Sequence, residues 1–473
     1  MATSRVESPY DLTVLGAGPA GLAAATSAAR AGARIALVDA GARPGGQYWR
    51  NRDNDTGALH HDWSTFTSLR ADLATNSDLI DHLPFHSVWH VERTGGGFSA
   101  HASTPSGEQV IDSRALVVAT GAYDRQLPFP GWTLPGVYAA GAVQALLKGQ
   151  GVLAGRRFVV SGTGPFLLAV AAGLADAGGE VVGVFEAGHP AGFGRFPVAL
   201  GRNAAKLGEG AEYVRTMIRH RIPYRTRTAV VAAHGDDEVV GVTTAKLDRD
   251  WNVLPGTESR IDCDTVAVGY GFTPQLEIPL QLGCETVLDI DGSLIAVADD
   301  AQSSSVAGIY LAGESCGVSG AAASVVEGRI AGLHAAAAVV GAAADRTALR
   351  RLRRQRAALH SFARAMHSTF PVPSGWTGWL EPNTIVCRCE EVEASAVDTA
   401  VDELGAVDSR AVKLYARPGM GMCQGRVCGY ATSCLVAARG NRDVTVADLR
   451  GVAGRPIGQP VLLGDLAATA EPN

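Results

Sequence analysis

Four cysteines near the C-terminal end of the chain stand in two tight pairs. Cys387 and Cys389 lie in "CRCEEV", and Cys423 and Cys428 in "GMGMCQGRVC". Paired cysteines serve a disulfide frame, a redox dithiol, a zinc knuckle or an iron–sulfur cluster. The pattern here is C-x-C, 33 intervening residues, then C-x4-C. A C-x-C disulfide is strained, and structural zinc sites prefer C-x2-C knuckles. Four thiolates from two loops suit a [2Fe–2S] cluster, each iron taking two. Gly419, Gly421 and Gly425 free backbone N–H groups to hydrogen-bond the sulfurs. Helices expected after Cys389 (Val397, Val401 and Leu404 on one face, Gly405 as stop) and after Cys428 (to Gly440) put both pairs at helix N-termini, where the dipole favours thiolate.

Two glycine turns carry a second kind of chemistry. "GAGPAG" sets Gly16, Gly18, Pro19, Ala20 and Gly21 between a strand and a helix. Gly16 permits the tight turn, Gly18 lets the backbone approach a pyrophosphate, and Gly21 lets the helix pack close on the strand. Asp39 follows Gly16 by 23 residues, where a carboxylate accepts hydrogen bonds from a ribose. The second turn, "GTGPFL", has Gly162 and Gly164, but Leu167 takes the third glycine position; Glu186 is its ribose acid. An acid there repels a 2′-phosphate, favouring NAD or another plain adenine nucleotide over NADP. Without the third glycine two readings stay open, a nucleotide site or a Rossmann unit kept for architecture alone.

The elements that must position these residues are readable. "LTVL", an Ala-rich helix over 19–31 and "RIALVDA" make one β-α-β unit; "RFVVSGTG", a helix through 178 and "EVVGVFEA" make another. Residues 85–118 read as a three-stranded meander, and "LPFPGWTLPGVYAAG" as a loop. Residues 309–343 read as a strand, a Gly-rich turn and a long helix; a basic helix follows, then the linker "FPVPSGW" and a small unit from 381 to about 440 with a tail of little pattern.

The apolar share of 47% and charged share of 19% describe a globular protein. A net charge of −6 gives no reason to expect nucleic acid, and the basic run 350–356 reads as a solvated helix face or partner surface. No secretory signal precedes the first strand, and the Ala-rich stretch 321–344 is interrupted by Glu327, Arg329 and His334, so neither export nor a membrane span is expected. The expectation is a cytoplasmic chain, where structural disulfides are rare. "HH" at 60–61 reads as a surface pair, and Cys316 as a small packed residue.

"GAGPAG", "PGGQYW" (44–49), "ATG" (119–121) and "IYLAGE" (309–314) together resemble the two-dinucleotide-domain flavoproteins, which include thioredoxin reductase and the pyridine-nucleotide disulfide reductases. The resemblance implies an α/β fold with a split FAD domain and an inserted NAD-like Rossmann domain. It carries FAD contacts onto Gly16, Gly18, Pro19, Ala20, Gly21, Asp39, Gly46, Gln47, Val88, Gly121, Gly313 and Glu314, the last standing where the family usually has Asp. No C-x2-C exists in the chain, so disulfide reduction is not expected.

The C-terminal segment resembles the bacterioferritin-associated-ferredoxin-like [2Fe–2S] domain, a small, mainly helical unit. The whole order resembles the flavin subunits of hydrogen cyanide synthase, opine oxidase and proline or hydroxyproline dehydrogenases. "ATGAYDRQLPFPGWTLPGVYAAGAVQ" (119–144) and "VAVGYGFTPQLEI" (266–278) share that likeness. It implies FAD domain parts over 1–150 and 271–345, the second Rossmann domain over 151–270, a basic helix and linker over 346–380, and the cluster domain with its tail over 381–473. It also implies an electron-transfer subunit of an amino- or imino-acid dehydrogenase. The partners would be a D-amino-acid-oxidase-like subunit, a small ferredoxin-like subunit and a downstream acceptor. The alternatives are a stand-alone NAD(P)H-dependent reductase and a non-catalytic binding partner.

Overall fold

The computed structural model describes residues 4–5, 9–342, 345–455 and 457–469. The reading of the first residues as free of a secretory signal falls partly outside them. Tyr10–Leu15 and Ile35–Val38 are almost wholly buried, as apolar runs in a parallel sheet must be. They sit in the order Ile80–Leu83, Ile35–Val38, Tyr10–Leu15, Gly107–Val118, Gly97–Thr104, Ser87–Thr94. The 12-residue strand Gly107–Val118 belongs to two arrangements. Its first half pairs antiparallel with Gly97–Thr104, and its second half pairs parallel with Tyr10–Leu15 and with Ile309–Leu311. The sheet is therefore completed by a strand about 190 residues further along, which makes this unit split.

Helix Ala321–Val340 lies across helix Pro19–Arg30. A Cβ on Gly328 would stand 2.1 Å from the Ala20 carbonyl oxygen, and one on Gly332 2.2 Å from that of Ala24. By length and composition this helix could cross a membrane, its polar residues notwithstanding; 67% of its apolar window is buried within the fold. Packing, and not the interruption by Glu327, Arg329 and His334, marks it as a core helix.

The second unit is a five-stranded parallel sheet in the order Tyr224–Thr226, Glu180–Glu186, Arg157–Gly162, Thr265–Gly269, Val137–Ala139. Val137–Ala139 and the helix Ala140–Gln150 that follows it belong here, so this unit begins ahead of residue 151. Three residues are too few to show a strand period, which is why the passage read as a loop. The chain returns through Phe272–Pro274, which pairs antiparallel with Ala122–Asp124.

Helix Arg346–Thr369 is pinned to the split unit. Arg353 and Arg356 reach Asp300, and Arg356 also reaches Gln302 at 2.6 Å. The "FPVPSGW" stretch is no free linker. Trp376 and Trp379 are buried, Trp379 Nε1 donates to the Trp251 carbonyl at 2.9 Å, and the two rings stack with centroids 6.0 Å apart. The short strands Ile385–Cys387 and Val392–Glu393 lead into helices Ala394–Asp402, Ser409–Ala416, Gly429–Arg439 and Val446–Ala453. Their core runs on from that of the second unit through Trp132, Trp251 and Trp379 to Val386 and Val397. The helix after Cys389 starts later and ends earlier than its pattern implied: it stops at Asp402, and Leu404 is 51% exposed. The tail has more structure than expected, because Thr445 and Asp448 form a capping box that starts Val446–Ala453, and Leu463–Thr469 is a further helix. His60 is not a surface residue: its ring stacks on Trp63 at 4.6 Å and bonds Asp55 at 3.2 Å.

Candidate functional site

The first glycine turn is assembled from four separated stretches. Helix Pro19–Arg30 has Gly18 as its N-cap with no side-chain partner, which leaves its first N–H groups facing outward for an anion. Gly21 must be glycine: a Cβ would lie 1.7 Å from the Gly16 carbonyl oxygen. The "PGGQYW" loop is tied down by Gly45 N–H donating to the Ala17 carbonyl at 2.8 Å, and it brings Gly46 against Gly18. Gln47 accepts from Arg50 at 2.7 Å on the exposed side. Asp39 accepts from Ala17 N–H at 2.5 Å and from Gly41 N–H at 2.6 Å, yet is half-exposed. The His86 N–H donates to the Asp39 carbonyl, carrying the next strand, with half-buried Val88, alongside. From the far end of the split unit, Gly313 packs on Ala20, while Gly121 turns with φ 79° in open space. Thus Gly16, Gly18, Pro19, Ala20, Gly21, Asp39, Gly46, Gln47 and Gly313 come together around one cradle.

Close to it lie Glu314, which the family resemblance already assigned to FAD, and a second acid, Glu327, which it did not. Glu327, buried, accepts from Gly313 N–H at 2.8 Å and from the His360 ring at 2.6 Å. Burial, then the Glu327 and Asp124 charges, pushes the Glu314 carboxyl up to about 7. In sequence Glu327 was legible only as an acid inside an apolar helix.

The second glycine turn is closed. Glu186 has no exposed surface. It accepts from the Thr163 hydroxyl at 2.7 Å, Gly164 N–H at 2.8 Å and Gly188 N–H at 2.7 Å. Burial pushes its carboxyl up to about 7 against those three hydrogen bonds. Leu167, fully buried, fills the position of the third glycine, and the helix starts only at Phe166, after Pro165. Phe370, from the end of the basic helix, packs beside Gly188.

The four cysteines meet in pairs. Cys387 accepts from Gly419 N–H at 3.5 Å, and a Cβ on Gly419 would stand 3.9 Å from Cys428 Sγ; hydrogen bonding by Cys428, above all, pulls the Cys387 thiol down to about 5. Cys389 lies beside Cys423, and burial, opposed by the Cys423 backbone, raises its thiol. Each pair feels the charge of the other. Among the described residues no three His, Cys, Asp or Glu side chains converge as ligands of a single ion. The Cys387–Cys428 pair is buried, and Cys389 of the other pair is exposed. Cys428 is the N-cap of helix Gly429–Arg439, whereas Cys387 ends a strand and Cys389 precedes its helix by five residues. Of the four, Cys428 alone sits at a helix start; Cys423 precedes that helix by six residues, and a turn and a short strand separate Cys387 and Cys389 from theirs.

Buried ionic contacts fix this unit against the strand that follows "ATG". Arg426, between Cys423 and Cys428, pairs with Glu277 at 2.8 Å, both about nine-tenths buried, and donates to the Tyr123 hydroxyl at 2.9 Å. Arg125, 1% exposed, pairs with Asp291 at 2.8 Å and stands 4.3 Å over the Tyr430 ring. Breaking a buried pair of this kind costs about 3–5 kcal/mol. Arg426 had a sequence signal, its place inside the cysteine motif; Tyr123, Arg125 and Glu277 fall within the stretches that carry the family likeness, but nothing in the sequence pointed to these contacts.

A glycine cradle completed by a distant strand, with an inserted second Rossmann sheet, defines a dinucleotide-binding flavoprotein. Comparisons with known proteins agree. Residues 10–338 match the pyridine nucleotide-disulphide oxidoreductase family. The chain is 33% identical to the HcnB subunit of hydrogen cyanide synthase from Pseudomonas protegens, over 91% of this chain and 93% of that one. It is 32% identical to an opine oxidase subunit from Rhizobium meliloti, over 98% and 99%. The crystal structure of L-proline dehydrogenase from P. horikoshii shares the fold, with a TM-score of 0.70 at 20% identity over 98% of this chain and 80% of that one. The chain belongs to the pyridine nucleotide-disulphide oxidoreductase family and is a flavin-dependent oxidoreductase.

Proposed function

We propose that the chain is the FAD- and [2Fe–2S]-carrying electron-transfer subunit of a multi-subunit dehydrogenase. The complex would oxidise the C–N bond of an opine, glycine or proline-like amino or imino acid. The observation that carries this reading is the pairwise meeting of Cys387 with Cys428 and Cys389 with Cys423. Two thiolates per iron is the donor set of a two-iron cluster, whereas a single tetrahedral ion needs all four sulfurs in one sphere. FAD would lie along Gly16, Gly18, Gly21 and Asp39, with Gly46, Gln47 and Val88 on one side and Gly121, Gly313 and Glu314 on the other. The flavin supplies two-electron chemistry, and the cluster a one-electron path. Arg426 and Tyr123 hold the cluster loop to the strand leaving "ATG", so the two redox sites would keep a constant separation. The names of the relatives, subunits of hydrogen cyanide synthase and opine oxidase, support partners here too. A D-amino-acid-oxidase-like subunit would carry the substrate chemistry, with a small ferredoxin-like subunit and a downstream acceptor. All eight cysteines are unbridged, which suits the cytoplasm.

Anaerobic purification with iron, sulfide and FAD analysis tests the reading, together with absorption and EPR spectra. Two irons and two sulfides per FAD are expected (roughly, after handling losses); zinc, or cysteines without metal in fresh material, overturns it. Turnover of an amino acid by the chain without any partner contradicts the relay role. In the reductase alternative NADH bleaches the flavin rapidly; the closed turn at Glu186 leads us to expect no such bleaching.

A further inference from the structure

Beside the cysteine loop lies a second guanidinium with no ion pair of its own: Glu277, the carboxylate whose charge reaches it, is already paired with Arg426. A small cleft lies between the cysteine unit and the split unit; Tyr123, Glu277, Arg426, Tyr430 and Arg455 help to line it. Arg426 is fully partnered there, by Glu277, by the Tyr123 hydroxyl, and by the carbonyls of Cys423 at 3.0 Å and Gly458. Arg455 is not. Its Nη2 donates to the Val452 carbonyl, and its Nε is buried without a partner. No described carboxylate lies within ion-pairing distance of it, Glu277 being held by Arg426.

Its position gives it another counter-charge. A Cβ on Gly425 would stand 3.0 Å from Arg455 Nη2, so one guanidinium nitrogen lies against the turn between Cys423 and Cys428. Lys413 approaches Cys428 from helix Ser409–Ala416. Glu390, an acid beside the Gly421 turn, is tied to Arg417 at 3.1 Å. A surplus of cations therefore surrounds the sulfurs. A half-buried cation without a partner is unfavourable. A cluster held by four thiolates is anionic, and becomes more so by one charge on reduction.

On the [2Fe–2S] reading above, we propose that Arg455 is a positioning residue for the cluster's charge: held over the Gly425 turn, its guanidinium stabilises the reduced cluster and raises its potential. Arg455 neither ligates iron nor exchanges a proton; it acts through the field over a few ångströms of low-dielectric interior.

The test is Arg455→Gln in the full chain, reduced stepwise with dithionite under EPR detection, with Arg455→Lys and Arg417→Gln beside it. Iron and sulfide content should equal wild type. At a given potential the reduced-to-oxidised ratio should fall about tenfold, equivalent to about 59 mV for a one-electron couple. Arg455→Lys should recover most of the shift, and Arg417→Gln should show little of it. In cluster-free protein, Arg455→Gln should leave the Tm unchanged or raise it, because a surplus cation has gone. An unmoved potential at full iron content overturns the proposal and leaves the cluster reading standing. So does an equal fall of Tm with and without the cluster, which would make Arg455 merely structural. Wild-type protein without iron and sulfide overturns both.

Discussion

The two glycine turns start from nearly the same register and end differently. In each a strand runs into G-x-G-P, and an acid ends the next strand 23 or 24 residues later. Around Gly16 the helix begins at Pro19, the acid is short and half-exposed, and two further stretches, 44–49 and the strand ending at Leu311, close in around an open cradle. Around Gly162 the acid is one methylene longer and fully buried, and it takes three donors where Asp39, which also reaches back to its own turn, takes two. Leu167 then takes the space that a glycine leaves for close packing of helix on strand. The contrast is one of burial: the same strand, turn and helix leave the acid half-exposed in one unit and fully buried in the other.

The contrast can be broken most severely at Gly21. Gly21→Val places carbon against the Gly16 carbonyl, and the expected result is loss of bound FAD with a stability cost of at least about 3 kcal/mol, read by flavin absorbance and thermal unfolding. At the matching position Leu167→Ala should cost about 2–5 kcal/mol as a cavity yet leave the FAD content per folded molecule unchanged. If that variant loses FAD as well, the two turns are not independent.

A smaller effect separates the two acids by pH. Glu186 holds its proton to about 7 in the folded state, against 4.5 for an unperturbed glutamate. The native state therefore binds more protons between those values. Stability is highest below pH 4.5 as far as this group is concerned, declines as pH rises toward 7, and is level above it. The full swing is at most about 3 kcal/mol. Glu186→Gln should flatten that part of the denaturant-midpoint profile. Asp39→Asn should leave that slope alone and weaken FAD retention instead.

The smallest expected effect sharpens the link from the open cradle to the cysteines. Tyr123→Phe removes one hydrogen bond from Arg426 and should lower stability by about 1 kcal/mol, without loss of FAD. Arg426 keeps Glu277 and two carbonyls.

Local sequence determined the parts of this protein that are contiguous along the chain: both β-α-β units, the three-stranded meander, the glycine turns with their acids, and the two cysteine pairs. Glycine positions, strand-ending acids and cysteine spacing carry such information because the groups involved lie within one turn of backbone. The capping box of Thr445 and Asp448 lies equally close along the chain, yet the tail around it reads as having little pattern. Tertiary structure alone decided the rest. The three-residue strand Val137–Ala139 exists because a sheet edge accepts it, and Trp376 and Trp379 became an anchor because Trp251 waits across the interface. The full burial of Glu186 and the packing of Phe370 beside Gly188 exist only in the folded chain. Arg426 meets Glu277, and Arg455 meets no carboxylate, only once the cysteine unit docks. Burial and charge balance are sums over neighbours, and most of the neighbours of these groups lie far from them along the chain.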